Sequence, residues 1–142
     1  MGIISGGQVI EGAVGRDGGD LLYEYDFAVD GGAVGTINLR GPRLPSGFVV
    51  LDSVVEVLTA PTSGGAATLA ATTGEAAGDI VAAAAISGAP WSTTGRKAGT
   101  PVSAATSVKT TAVRTPALVV ATAALTAGVI RVRLSGYDAT RS

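Results

Sequence analysis

Residues 48–59, Phe48 through Thr59, read FVVLDSVVEVLT, and this run decides the fold class. β-branched residues dominate it, and they suit a pleated surface better than a helix. Alternation puts Val49, Leu51, Ser53, Val55 and Val57 on one face and Val50, Asp52, Val54, Glu56 and Leu58 on the other. The first set is almost purely apolar and is expected to line a core. The second carries Asp52 and Glu56 toward solvent.

The same period extends outward along the chain. Before the run, Leu21 to Val29 alternates, with Leu21, Tyr23, Tyr25, Phe27 and Val29 inward and Leu22, Glu24, Asp26 and Ala28 outward. Asp30-Gly31-Gly32 supplies turn chemistry, so Ala33 to Leu39 reads as the second strand of a hairpin. Gly41 to Gly47 holds Pro42 and Pro45 and must be a loop. After the run, Pro61 to Gly65 turns the chain into a short strand, Ala66 to Thr72, with Ala67, Leu69 and Ala71 on one side. Within Ala76 to Ile86, Asp79 as an N-cap before Ile80 and four alanines favours a short helix over 79–86, with a strand of small side chains as the alternative. Gly88 to Pro101 reads as a long exposed loop around the lone Trp91, and Ser107–Val113, Ala117–Ala123 and Val129–Leu134 as further strands. About eight strands at roughly ten-residue spacing predict an all-β fold, a β-sandwich or jelly roll, over residues 21–142. Residues 1–20 recur in glycine and read as an extended N-terminal arm.

Composition narrows the function. Ten Lys and Arg face eleven Asp and Glu, so no net field draws in nucleic acid or anionic membrane. No stretch of ~18 apolar residues occurs, and the start lacks a basic segment ahead of an apolar core, so neither a membrane span nor a secretion signal is expected. Without His or Cys there are no imidazole bases, thiol nucleophiles or ordinary transition-metal sites, and no cofactor is expected. Only 15 % of residues are charged while 46 % are hydrophobic, many of them alanines that bury little area each. A thin core and a nearly ion-free exterior point to a protein that completes its burial in an assembly.

Little remains to carry chemistry. Glu24 with Asp26 and Asp52 with Glu56 share strand faces at the spacing a glycosidase pair could use, yet any solvated face produces it. Asp26 to Gly32 lacks the alternating oxygens of a calcium loop. Gly12 to Arg16 lacks the lysine and helix of a phosphate cradle. The contact candidates are Ile3, Ile4, Val9, Ile10 and Arg16 in the arm, Arg131 and Arg133 alternating along the last strand, and Trp91. Each has a bland counterpart: a chain end without a role, solvated basic residues, and a tryptophan lid over the local core.

Tyr25 to Thr59, YDFAVDGGAVGTINLRGPRLPSGFVVLDSVVEVLT, followed by Thr62 to Thr68, TSGGAAT, resembles a group of tailed-bacteriophage and prophage virion proteins. Gly78 to Ala83 and Leu125 to Ile130 look like the same group, so the resemblance covers most of Tyr25 to Leu134. It rests on strand and turn chemistry, and no functional residue transfers. What it implies is a jelly-roll head decoration, or capsid cement, protein on the outer surface of a phage head. Such a protein would be made in the bacterial cytoplasm and would bind the major capsid protein as a homotrimer, with an arm reaching a neighbouring subunit. The rival reading is a glycan- or receptor-binding module of a phage fibre or tail, and an enzyme is not expected.

Overall fold

The protein is described by a computed structural model over residues 20–140. Nine strands and one α-helical turn follow in the order β1 (Asp20–Asp26), α1 (Phe27–Asp30), β2 (Gly35–Asn38), β3 (Phe48–Ser63), β4 (Thr68–Thr72), β5 (Val81–Ala85), β6 (Gly95–Ala98), β7 (Val108–Lys109), β8 (Ala117–Ala121) and β9 (Leu125–Asp138) among the described residues, with a 3-10 turn at Ala104–Thr106 between β6 and β7. Every pairing is antiparallel: β1 with β9, β2 with β8, β3 with β6 and β7, β4 with β5. These pairs nest, so the chain is one long hairpin folded back on itself. Rolling that hairpin lays β9 on β3 and β8 on β4. Two sheets result, β1-β9-β3-β6 with β7 also on β3, and β2-β8-β4-β5. This is the jelly-roll form of a β-sandwich, the fold class expected from the strand pattern.

Alternation along each strand builds one core between the sheets. Tyr23 and Tyr25 of β1, Val55 and Val57 of β3, and Ile130, Val132 and Leu134 of β9 meet Leu69 and Ala71 of β4 and Leu118 and Val120 of β8. Burying each large side chain stabilises by roughly 1.5–3 kcal/mol. The core is thicker than the alanine content suggests, because Tyr23, Tyr25, Phe48 and Trp91 are all fully buried in it. Much of the alanine lies outside: Ala82, Ala83 and Ala85 of β5 are exposed.

Several local expectations are corrected. The inward face of β3 changes parity: Val50 lies opposite Gly136 but Asp52 opposite Ser135, which leaves Leu51 as the extra residue of a bulge. Phe48 and Val50 point into the core before it, and Ser53, Val55 and Val57 after it. Glycine is required across from the bulge, since a Cβ at Gly136 would collide with the Val49 carbonyl. β1 and β2 do not form a hairpin. Asp26 accepts a hydrogen bond from the Ala28 amide at 2.9 Å, and Asp30 accepts one from the Asp26 amide at 2.8 Å, so this segment coils into α1 and ends the strand before Phe27 and Val29. β2 then joins the opposite sheet. The helix expected over 79–86 is β5 instead. Asp79 does cap, but it caps a turn: its carboxylate accepts from the Thr73 amide at 2.7 Å, the Thr73 hydroxyl at 2.5 Å and the Ala76 amide at 3.3 Å, closing β4 onto β5. The loop expected over 88–101 contains β6, and the Ser107–Val113 strand shrinks to β7.

Candidate assembly surfaces

The outer face of the β1-β9-β3-β6 sheet is built by strand register. Glu24 of β1 stands opposite Arg131 of β9, Arg131 opposite Glu56 of β3, and Glu56 opposite Arg96 of β6. Arg40 extends the row by a bridge to Glu24. Arg131 Nε lies 3.1 Å from Glu24 Oε2, Arg40 Nη1 3.5 Å from Glu24 Oε1, Arg40 Nε 3.1 Å from Asp30 Oδ1, and Arg96 Nε 3.9 Å from Glu56 Oε2. The Asp30 hydrogen bond, above all, holds the Arg40 guanidinium more firmly protonated than usual. Exposed pairs of this kind contribute roughly 0.2–1 kcal/mol each. Their larger effect is to cancel charge in place, three acids against three bases in one row.

Among the described residues, the four strands of the opposite sheet carry no charged side chain. Leu69, Ala71, Leu118 and Val120 face the core, so Ala70, Thr68, Val119, Ala121 and Thr36 face outward. The β4–β5 turn folds over part of this face and leaves an apolar hollow of about 240 Å³ between Ala70, Val119, Ala77, Gly78, Ala82 and Ala83.

The two sides of the sandwich differ as well. On one side Glu24 and Arg40 exchange backbone hydrogen bonds at 3.0 Å in both directions, and the Leu39 amide donates to the Pro116 carbonyl at 2.9 Å. That stitch joins β1 to the β8 side and closes the sandwich. On the other side β5 and β6 are each the last strand of a sheet among the described residues, and the two are joined only at one end, where the Thr100 amide donates to the Ile80 carbonyl at 2.8 Å. Between them runs an open groove of about 510 Å³, lined by Val81, Ala82, Pro90, Lys97, Ala98 and Thr100 among others. β6 carries the protection natural edges use: Arg96 is exposed, and Lys97 turns inward, its ammonium bonded to the Thr93 carbonyl and, at 3.2 Å, to the Thr93 hydroxyl. β5, VAAAA, has neither charge nor proline.

The residues singled out from sequence separate on this frame. Ile3, Ile4, Val9, Ile10 and Arg16 lie outside the described residues. Arg131 and Arg133 lie on the ladder face, Arg133 with Asp20 at 3.9 Å. Together with Leu22, Val54, Glu56 and Arg96 they border a dimple of about 30 Å³, room for about one water. Trp91 has no exposed surface and donates its indole N–H to the Leu69 carbonyl at 2.9 Å; it is a core lid, and direct contact through it is ruled out. The carboxylate pairs do not converge. Glu24 and Glu56 are held by arginines, Asp26 caps α1, and Asp52 accepts from the Ser53 amide at 2.9 Å. Glu75 is tied across the far end of the sandwich to the Thr111 amide and hydroxyl, each at 2.9 Å, and to Arg114, which hold its carboxyl below the usual range. The ladder, the groove and the bare edge were missed by sequence reasoning. Each depends on which strands are neighbours, and the only local signal was a charged residue at alternate positions.

No family model and no curated protein matches this chain. Among solved structures, a chain of the acidic stable capsid structure of Helicobacter pylori bacteriophage KHP30 has a similar fold. The likeness covers 87 % of this chain and 89 % of that one, with a TM-score of 0.58 and 15 % identity. The shared feature is the fold.

Proposed function

We propose that the chain is a non-catalytic structural protein of a bacteriophage virion, and within that role a decoration or cement protein. It sits on the outer surface of the head, bound to the major capsid protein as a homotrimer. The observation that carries this reading is the fold-level likeness, over nearly the full length of both chains, to a component of a phage capsid structure. The surfaces support it. A face whose charges cancel in place and a second face without charge can be covered by protein with little ion desolvation. Such a ligand stabilises a shell by binding the assembled state in preference to its separated subunits, and many identical copies make modest individual affinity sufficient. The contacts assigned to this role are Ile3, Ile4, Val9, Ile10 and Arg16, together with Arg131 and Arg133 at the rim of the ladder face.

The test is add-back. Purified protein is mixed with heads that lack it, and the heads are imaged by electron microscopy and heated. Density at regular outer lattice positions and a raised disruption temperature are expected. Protein that stays in the supernatant, or that binds tails or host glycans instead, overturns the assignment.

A further inference from the structure

We infer that the exposed edge of β6, with the groove beside it, receives an extended segment of a different protein as an added antiparallel strand, and that this segment carries one carboxylate opposite Lys97. The inference rests on the proposed head-binding role for the source of the segment, which is the protein shell; the receiving edge itself follows from register. The Gly99 amide donates to the Ser53 carbonyl at 2.9 Å, and further along the same ladder Lys97 faces Val55 and Gly95 faces Val57. Hydrogen-bonded pairs alternate along an antiparallel ladder, so Lys97 and Gly95 direct their backbone groups at β3 while Arg96 and Ala98 direct theirs away from it. Arg96 and Ala98 are exposed, and none of these four outward amides and carbonyls has a hydrogen-bond partner among the described residues. Across the groove, β5 offers less, because the Ile80 and Ala85 carbonyls at its two ends already accept from the Thr100 and Gly88 amides at 2.8 and 3.0 Å.

The groove sets the chemistry of what it takes. At about 510 Å³ it lies within the ~300–1,000 Å³ of ligand clefts, and Ile80, Val81, Ala82 and Pro90 make much of its wall apolar. Lys97 is its one charged residue among the described residues, and no acid lines it. The ammonium is bonded to Thr93 and has no carboxylate partner among the described residues. Lys97 lies on the inward side of its sheet, since it stands opposite the fully buried Val55.

A strand added to β6 bonds at Arg96 and Ala98, which places Lys97 in a non-bonded pair, the position where opposed side chains come closest. An apolar residue opposite would bury the ammonium without a counter-charge, whereas a carboxylate pairs it. Residues two positions to either side of that carboxylate point the same way and meet the apolar wall, while the residues between face outward beside Arg96 and Ala98. The segment therefore reads apolar, polar, acidic, polar, apolar. The inward lysine and exposed arginine that deter indiscriminate strand addition thereby select one kind of strand. Main-chain hydrogen bonds give such a contact its affinity and the groove gives it specificity.

The probe is an acetylated, amidated heptapeptide, Thr-Val-Thr-Glu-Thr-Val-Thr, titrated into isotope-labelled full-length protein and followed by NMR. The Arg96 and Ala98 amides should shift and exchange roughly tenfold more slowly, while those of Gly95 and Lys97, already paired with β3, and of Thr36 in β2 stay as they were. Lysine in place of the peptide's glutamate should weaken binding roughly tenfold, and Lys97→Glu protein should recover it. N-methylation of the two threonines beside the glutamate removes the donors that face β6 and should abolish binding with the protein itself unaltered. Equal binding of the glutamate and lysine peptides, binding that survives N-methylation, or no response at Arg96 and Ala98 overturns the inference. So does slowing of those two amides as the protein alone is concentrated, which would put a second copy on this edge. No heads enter the titration, so its outcome is independent of the add-back experiment. On decorated heads, hydrogen exchange read by mass spectrometry should show residues 95–98 protected; heads that bind the protein and leave this edge as exposed as in solution overturn the shell as the source.

Discussion

Tyr23 and Tyr25 are two residues apart, on one strand face, and both are fully buried, yet their hydroxyls differ in partnership. Tyr25 donates to the Gly31 carbonyl at 2.6 Å, whereas the Tyr23 hydroxyl has no partner among the described residues. A buried hydrogen bond contributes about 1 kcal/mol, and an orphaned polar group costs about 1–3 kcal/mol. Tyr25→Phe should therefore lower stability by about 1 kcal/mol, while Tyr23→Phe leaves it unchanged or raises it; urea midpoints compared at constant slope distinguish the two. The same burial governs alkaline behaviour. Desolvation, with smaller contributions from Asp30 and Asp26, pushes the Tyr25 phenol up to about 12 from an ordinary value near 10, and burial raises Tyr23 as well. The unfolded chain releases these protons first, so their contribution is fully present below pH 10 and is lost as pH rises through 12. Stability measured across that window should fall, and should fall less in Tyr25→Phe. At this scale the sequence was readable where packing alone decides: alternation placed both tyrosines inside. It could not decide Trp91, because a tryptophan in a polar loop becomes a lid only when a distant strand, here β4, presents a carbonyl to its indole N–H.

Single elements show where propensity yields to register. The alanines of β5 favour a helix in isolation, but the Asp79 carboxylate gathers Thr73 and Ala76 into a turn and delivers the segment to the edge of β4. The long β3 run was legible as a strand throughout; its bulge was not, since the extra residue is set by Ser135 and Gly136 more than eighty positions away. Register also builds the ladder, and it supplies a prediction. Arg131 faces Glu24 on one side and Glu56 on the other, so Arg131→Glu aligns three carboxylates across adjacent strands. Like charges directly opposite destabilise by amounts comparable to what exposed pairs contribute, giving a loss of about 1–2 kcal/mol against less than 1 for Arg131→Met. Half-molar salt should shrink the difference between the two variants, because both partners are partly exposed. Equal losses that ignore salt would show that the arginine acts through packing of its stem.

The whole molecule distributes charge in a way that no local reading revealed. Strand count and turn spacing were enough for a jelly roll, but not for its pairing, because consecutive strands β1 and β2 part into different sheets and meet β9 and β8 instead. Once paired, that order collects Glu24, Arg131, Glu56 and Arg96 on one broad face and leaves Thr36, Val119, Ala70 and Thr68 on the other. Neither face presents a patch of one sign, and the chain as a whole carries a net charge of −1. Attachment to a shell through such surfaces must draw on apolar burial and backbone complementarity, with long-range attraction contributing little. The affinity for heads should then change less than about threefold between 50 mM and 500 mM salt, a range over which the Debye length falls from about 14 Å to about 4 Å. Co-sedimentation across that series measures it. A tenfold or steeper decline would mean that docking depends on opening the ladder, with Arg131 and Arg133 trading Glu24 and Asp20 for acidic groups on the shell, and charge reversal at those two arginines would then abolish binding.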